Sequence, residues 1–203
     1  MKAIIFDLGG VVLTNDWDKN YLKYVREFTE HFKISPEDMD RAWKKFWHLF
    51  RNGKITEDEF WRMFLTEANV ENPEEKVEEA KRIWRKHQKA HECMLSLIKT
   101  LKRKYRVVAL TNLSKEWYEF KVRKFNLLNY FDFIVSSGHF GKDKSGKEIY
   151  LHTLKRLNIP PEECLFIDDR ERNVKIARDI GMRAILFKDA SSLKRKLKEL
   201  SIL

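Results

Sequence analysis

Several short stretches of this sequence carry residues able to do chemistry, and each follows an apolar run. Ala3-Ile4-Ile5-Phe6 ends in Asp7 and then Gly9-Gly10, and Arg106 to Leu110 ends in Thr111-Asn112. Phe133 to Ser136 precedes a lysine-rich stretch from Gly138 to Gly146, and Cys164 to Ile167 ends in Asp168-Asp169. Ligands of open α/β sheets bind at the carboxyl ends of the strands, so parallel strands would bring these groups to one edge. Three carboxylates on one edge raise each other's pKa values, and a cation must accompany them. A hard divalent ion such as Mg²⁺ suits oxygen ligands, and a lysine from 142–147 adds a second positive charge. Paired glycines let the backbone turn tightly and face an anion with N–H groups. The combination points to a metal and phosphate site.

The elements that would position these groups follow from pattern. The first apolar run reads as a strand buried on both faces. Then the chain turns helical: Asn15 or Asp16 caps a helix to about Phe32, with Trp17, Tyr21, Tyr24, Val25 and Phe28 at helical spacing. Ser35-Pro36-Glu37-Asp38 opens another helix, Thr56 to Glu59 forms a capping box, and Asn72-Pro73-Glu74-Glu75 starts a fourth helix. A helical bundle inserted over 15–88 is expected, its aromatic residues mainly bundle core with some facing the strand ends.

From His91 strands and helices alternate. Helices are expected over Cys93–Lys104, from Ser114 to Phe125, over Lys147–Leu157, over Asn173–Ile180, and from a cap at Ser191 or Ser192. Strands are expected over 106–110, 133–136, 164–167 and 183–187, with 138–146 a loop. Such alternation implies parallel strands with right-handed crossovers.

Composition sets bounds. The chain has 203 residues and a formal charge of +10, with Lys+Arg 41 against Asp+Glu 31. The basic residues are mixed with acids and form no recognisable nucleic-acid motif, so a field attracting anionic substrates is expected rather than a nucleic-acid partner. No stretch approaches the roughly 20 apolar residues of a membrane span, and the first strand ends in an acid too early for a signal peptide. Cys93 and Cys164 lack metal-ligand spacing and are expected to be reduced. A cytoplasmic protein, monomeric or homodimeric, with no membrane contact, is the expectation.

Taken in order, the motifs resemble those of the haloacid dehalogenase superfamily. Phe6-Asp7-Leu8-Gly9-Gly10-Val11-Val12 resembles its first motif, Leu110-Thr111-Asn112 its second, and Phe166-Ile167-Asp168-Asp169 with Asn173 its fourth. Counting back from Ile149-Tyr150 places the third-motif lysine at Lys144, with Ser145 where the family usually has proline; Lys142 and Lys147 are rivals. The resemblance implies an α/β fold: a Rossmann-like three-layer core with a parallel sheet from 1–14 and 89–203, plus an all-helical cap domain over 15–88.

It also implies a Mg²⁺-dependent phosphatase acting on a small phosphorylated metabolite, with sugar phosphates among the candidates. Asp7 would be the nucleophile that becomes an aspartyl-phosphate, with Thr111 and Lys144 also catalytic. Gly9, Gly10, Thr111, Asn112 and Lys144 would bind the phosphate, and Asp7, the Gly9 carbonyl, Asp168 and Asp169 would hold Mg²⁺. Asn173 would orient the metal's surroundings. One departure stands out: family phosphatases usually carry a second aspartate where this chain has Gly9, and general acid–base help is worth roughly 10²–10⁴-fold. Asp16, Asp18 and His48 are candidate replacements. A weakly catalytic phosphate- or partner-binding protein, or a metal-independent dehalogenase, are the competing readings.

Overall fold

β1 (Ala3–Phe6) is buried along its whole length because a parallel neighbour flanks it on each side: β2 (Arg106–Thr111) and β4 (Cys164–Asp168). The computed structural model describes residues 1–14 and 19–203, except for the side chains of 19–21. The cap expected at Asn15 or Asp16, the side chains of Trp17 and Tyr21, and the candidate acids Asp16 and Asp18 lie outside the described residues. With β3 (Ile134–Ser136) and β5 (Arg183–Leu186), the described residues form a five-stranded parallel sheet in the order β3-β2-β1-β4-β5. The order reverses direction at β1, so Asp7 sits at the switch point where the two halves diverge.

Side chains alternate across the sheet as the two-residue period of a strand requires. Ile4, Phe6, Val107, Ala109, Leu165 and Ile167 face one layer, built from α5 (Glu92–Leu101) and α10 (Ala190–Glu199). Ala3, Ile5, Val108, Leu110 and Phe166 face the other, built from α8 (Glu148–Leu157) and α9 (Glu171–Asp179). Helix, sheet and helix make the three layers.

Between β1 and α5 the described chain forms α1 (Lys19–Phe32), α2 (Pro36–Arg51), α3 (Glu57–Glu67) and α4 (Val77–Lys86). Ser35 caps α2 by accepting from the Asp38 N–H, and Thr56 with Glu59 forms a reciprocal capping box on α3. The apolar stripes of these helices close over Phe28, Phe50, Phe60, Trp61 and Phe64, all with no solvent exposure. Phe50 and Phe60 stack at 4.6 Å. Full burial of such side chains is worth about 1.5–3 kcal/mol each and is part of what holds the four helices together. The aromatic core of the insert runs on without a break into one face of the sheet.

The chain enters and leaves the insert side by side. Thr14 N donates to Lys89 O at 3.0 Å, Lys89 N to Thr14 Oγ1 at 3.1 Å, and His91 N to Val12 O at 2.9 Å. The far end of the insert rests on the short helix α7 (Ser137–Phe140). There Gly53 lies so close to Gly138 that a Cβ would meet the Gly138 carbonyl oxygen at 2.5 Å, and Ser137 Oγ donates to Arg51 O.

Four local expectations change. The stretch expected as loop from 138 contains α7, ended by Gly141 at φ +85°. Residues 73–76 form a 3₁₀ turn before α4, and Asn72 at φ +50° makes no capping bond. α9 begins at Glu171, since Arg170 is the last extended residue. The cap of α10 is Asp189, which accepts from Ser192 N at 2.8 Å; Ser192 instead donates its hydroxyl back to the same carboxylate. No helix of the described residues is long and apolar enough to cross a membrane.

Candidate active site

Asp7 is carried just past the end of β1, held by its N–H to Ile167 O at 2.8 Å. Its Oδ1 accepts from Leu8 N at 2.7 Å and from Lys144 Nζ at 2.7 Å. The same ammonium reaches Asp168 Oδ2 at 2.7 Å and Leu110 O at 3.3 Å. Lys144 is 1% exposed. Its loop is fixed by Lys144 N donating to Asn112 Oδ1 at 2.9 Å and by the Tyr150 hydroxyl donating to Lys144 O at 3.1 Å. Of its sequence rivals, Lys142 pairs with Glu148 in solvent and Lys147 is exposed at the start of α8.

Asp168 receives more donors than any other group here. Arg170 N and Asn173 Nδ2 donate to Oδ1, and Lys144 Nζ and Asn173 Nδ2 to Oδ2. Its lone pairs are largely committed, which suits it to fixing Lys144. Asp169 is half-buried beside it, and Asp7, Asp168 and Asp169 each offer an oxygen within 4.8 Å of the others. Burial raises the Asp7 pKa to about 7; Lys144 works against this, and Asp168 and Asp169 add to it. Asp169 is likewise pushed up, by burial and by Asp168. Burial opposes the charge on Lys144, yet Asp168 and Asp7 outweigh it and hold the ammonium above the ordinary lysine value. Lys144 and the nearby Arg170 bring two positive charges against three carboxylates, which leaves net negative charge and raises both Asp7 and Asp169. A hard divalent ion bound by oxygens fits this donor set.

Thr111, at the end of β2 and 2% exposed, and Asn112 line the same cavity as Asp7, Gly9 and Lys144. The structure differs at Gly10: its N–H donates to Leu13 O at 2.8 Å with φ +80°, so Gly10 serves the turn and does not line the cavity. Gly9 does line it, and a Cβ built on Gly9 meets nothing within 4 Å. His48 is exposed and away from the cavity.

The cavity measures about 280 Å³. The sheet edge forms its floor, and Trp43, Trp47, Arg51, Trp84 and His87 of the insert's side line it as well. Sequence reading missed Arg51, Asp143, His87 and Trp117. Arg51 crosses from α2 to Asp143, next to Lys144, at 2.6 Å. Ser145 N donates to Asp143 Oδ1 at 2.8 Å, a bond that the proline usual in the resembled motif lacks the hydrogen to make. No local pattern marks these residues, because only the docking of the insert brings them together.

The sequence pattern of the haloacid dehalogenase-like hydrolases matches residues 1–181. The chain belongs to this family. Flavin mononucleotide hydrolase 1 of Arabidopsis thaliana is 33% identical over 77% of this chain and 62% of its own. D-ribitol-5-phosphate phosphatase of Bacteroides thetaiotaomicron is 25% identical over 97% of both chains. The chain spans only 36% of the length of another curated relative. Among solved structures, the magnesium complex of a haloacid dehalogenase family enzyme from Bacteroides thetaiotaomicron superposes with a TM-score of 0.78 at 24% identity. That match covers 96% of this chain and 98% of the other. This haloacid dehalogenase-like hydrolase thus has the family's fold, with a helical insert over the strand ends.

Proposed function

We propose that this hydrolase is a phosphatase that releases inorganic phosphate from a small phosphorylated metabolite through an aspartyl-phosphate on Asp7. The observation that carries the reading is the Lys144 ammonium, buried and 2.7 Å from both Asp7 and Asp168 beneath a substrate-sized cavity. The names of the relatives, hydrolases of flavin mononucleotide and of a pentitol phosphate, support it. Helices α1–α4 act as the cap in this reading, with the boundaries at 14/15 and 88/89 where the crossing strands pair.

A carboxylate oxygen of Asp7 attacks phosphorus, the bond to the leaving oxygen breaks, and the departing alkoxide takes a proton from solvent. Water then attacks the aspartyl-phosphate, freeing phosphate and restoring Asp7. Thr111 and Asn112 bind the phosphoryl oxygens, and Lys144 keeps Asp7 aligned and balances its charge. Asp7, Asp169 and the Gly9 carbonyl would hold Mg²⁺, with Asp168 and Asn173 supporting. When bound, the ion neutralises the charge of the transferred group. Gly9 leaves the site without the usual acid, so esters with good leaving groups are the favoured substrates.

The test is release of phosphate from p-nitrophenyl phosphate and a sugar-phosphate panel, with Mg²⁺ and with EDTA, for the natural protein and Asp7→Asn. Mg²⁺-dependent turnover that drops by at least about 10³-fold in Asp7→Asn is expected, the loss of a step rather than of a contact. Turnover that survives the substitution, or is indifferent to EDTA, overturns the reading.

A further inference from the structure

Four indoles line the cavity beside Tyr24, Arg51, His87, Gln88 and Lys121, and they bear on the part of the substrate that leaves. Trp43 and Trp47 stack on each other at 5.3 Å and are half-buried, so ring surface stays open. Behind them Trp84 and Trp117 stack at 3.6 Å. Trp117 gives its N–H to Glu57 at 2.9 Å, and Glu57 does not line the cavity, so Trp117 offers carbon to the interior.

Three polar groups of this lining are engaged elsewhere, although Arg51 Nε makes no hydrogen bond and Lys121 and Arg172 also line the cavity. Arg51 is paired with Asp143 at 2.6 Å, His87 with Glu27 at 2.8 Å, and the Gln88 amide donates to Trp84 O at 3.3 Å. Among the described residues, no carboxylate of the insert lines the cavity. A polyol would arrive with several hydroxyls to satisfy, and leaving buried ones unpaired costs about 1–3 kcal/mol each. A flat ring, in contrast, gains from stacked or edge-on contact with indoles, about 0.5–1.5 kcal/mol per pair beyond the area it buries. A volume of about 280 Å³ lies just below the range for ligand pockets, roughly 300–1,000 Å³. It suits a phosphoryl group with one or two fused rings.

We infer that the group esterified to phosphate in this enzyme's substrate is a planar aromatic alcohol, seated against Trp43 and Trp47, rather than a sugar or alditol. The inference rests on the phosphatase reading for the position of the phosphoryl group, but its test by binding is separate.

Binding of 3-phenylpropylphosphonate, 3-cyclohexylpropylphosphonate, methylphosphonate and a pentitol 5-phosphate is measured by calorimetry in Mg²⁺, beside hydrolysis of acetyl phosphate. The phenyl compound is expected to bind at least 10-fold tighter than methylphosphonate and the pentitol phosphate, and at least 3-fold tighter than the cyclohexyl compound. Trp47→Leu, and independently Trp43→Leu, should shrink the phenyl-over-methyl ratio at least 5-fold, each checked for an intact melting transition. Equal binding of phenyl and cyclohexyl compounds, or a preference for the pentitol phosphate, overturns the inference while acetyl phosphate hydrolysis leaves the phosphatase reading standing. A phenyl preference without acetyl phosphate hydrolysis keeps the aromatic pocket and removes the phosphatase reading.

Discussion

The indole N–H of Trp117, on α6 (Lys115–Phe125) of the sheet-bearing half, donates at 2.9 Å to the carboxylate of Glu57, at the first turn of α3 in the insert. Arg85 holds the other oxygen of Glu57 at 2.7 Å. Trp117 thereby fills the insert's aromatic cluster, edge-on to Phe50 at 4.9 Å, although its helix belongs to the other half of the molecule. Glu57 is 5% exposed, so its partners cannot be replaced freely by water.

Cutting this bond should loosen the insert from the sheet. Glu57→Ala strands the indole N–H and weakens the hold on Arg85, and a loss of about 1–3 kcal/mol in urea unfolding is expected. Trp117→Phe keeps a ring and removes the same bond. In a double-mutant cycle the two changes should therefore fall short of additivity by at least about 0.5 kcal/mol. Strict additivity would mean that the bond contributes nothing to the docking.

The Asp7 carboxyl links stability to pH. Its pKa in the folded protein is about 7, against roughly 3.9 in an unfolded chain. Between those values the unfolded chain has released a proton that the folded one keeps, so stability falls as pH rises through this window, by at most about 1.4 kcal/mol per unit. In EDTA the natural protein should be more stable at pH 5 than at pH 7.5 by more than Asp7→Asn is. Adding Mg²⁺ at pH 7.5 should return much of the difference. Thermal melts of the two proteins at both pH values check this, and parallel profiles would count against it.

The bridge from Arg51 to Asp143 titrates in the opposite sense. Burial works against ionisation of Asp143, but the hydrogen bonds from Ser145 and the charge of Arg51 outweigh it and hold the carboxyl below its ordinary value. The stability it brings is present above the unfolded value of roughly 3.9 and disappears as pH falls through the lower folded one. Asp143→Asn should cost about 1–3 kcal/mol at pH 7, and the gap to the natural protein should narrow as the pH falls below the unfolded value of roughly 3.9. A gap independent of pH would assign the cost to packing instead of charge.

The floor of the site was legible in the sequence because each part ends a short apolar run. Asp7, Thr111 and Asp168 are forced to the same edge once the strands are parallel. Lys144 was harder: three lysines within six residues carry the same charge, and only a motif count separated them before burial did. Gly10 read as an anion-facing glycine, but its N–H is committed to Leu13 O within the turn. The roof was not legible at all. Trp117 has the local look of any helical aromatic, and Arg51 that of a solvated last-turn arginine. What they do depends on how the insert docks, and that is decided by shape complementarity among many aromatic side chains rather than by any local signal.

Gly9 gives the last prediction. Its φ is not in the left-handed region, and a Cβ there meets nothing within 4 Å, so neither strain nor crowding explains the missing side chain. Gly9→Asp should therefore fold without steric cost, its penalty being the added carboxylate beside Asp7 and Asp169, about 1 kcal/mol without metal and less with Mg²⁺. The new carboxyl would stand beside Asp7 and over the cavity floor, able to protonate a departing alkoxide. Turnover of alkyl phosphates, whose leaving groups need a proton, should rise by up to about 10²-fold, the low end of general-acid assistance. p-Nitrophenyl phosphate, whose leaving group departs as a stable anion, should gain much less. Comparing kcat for the two ester classes in both proteins settles it. An equal change for both classes would show that the substitution acts on charge or folding and that the natural site does not lack an acid.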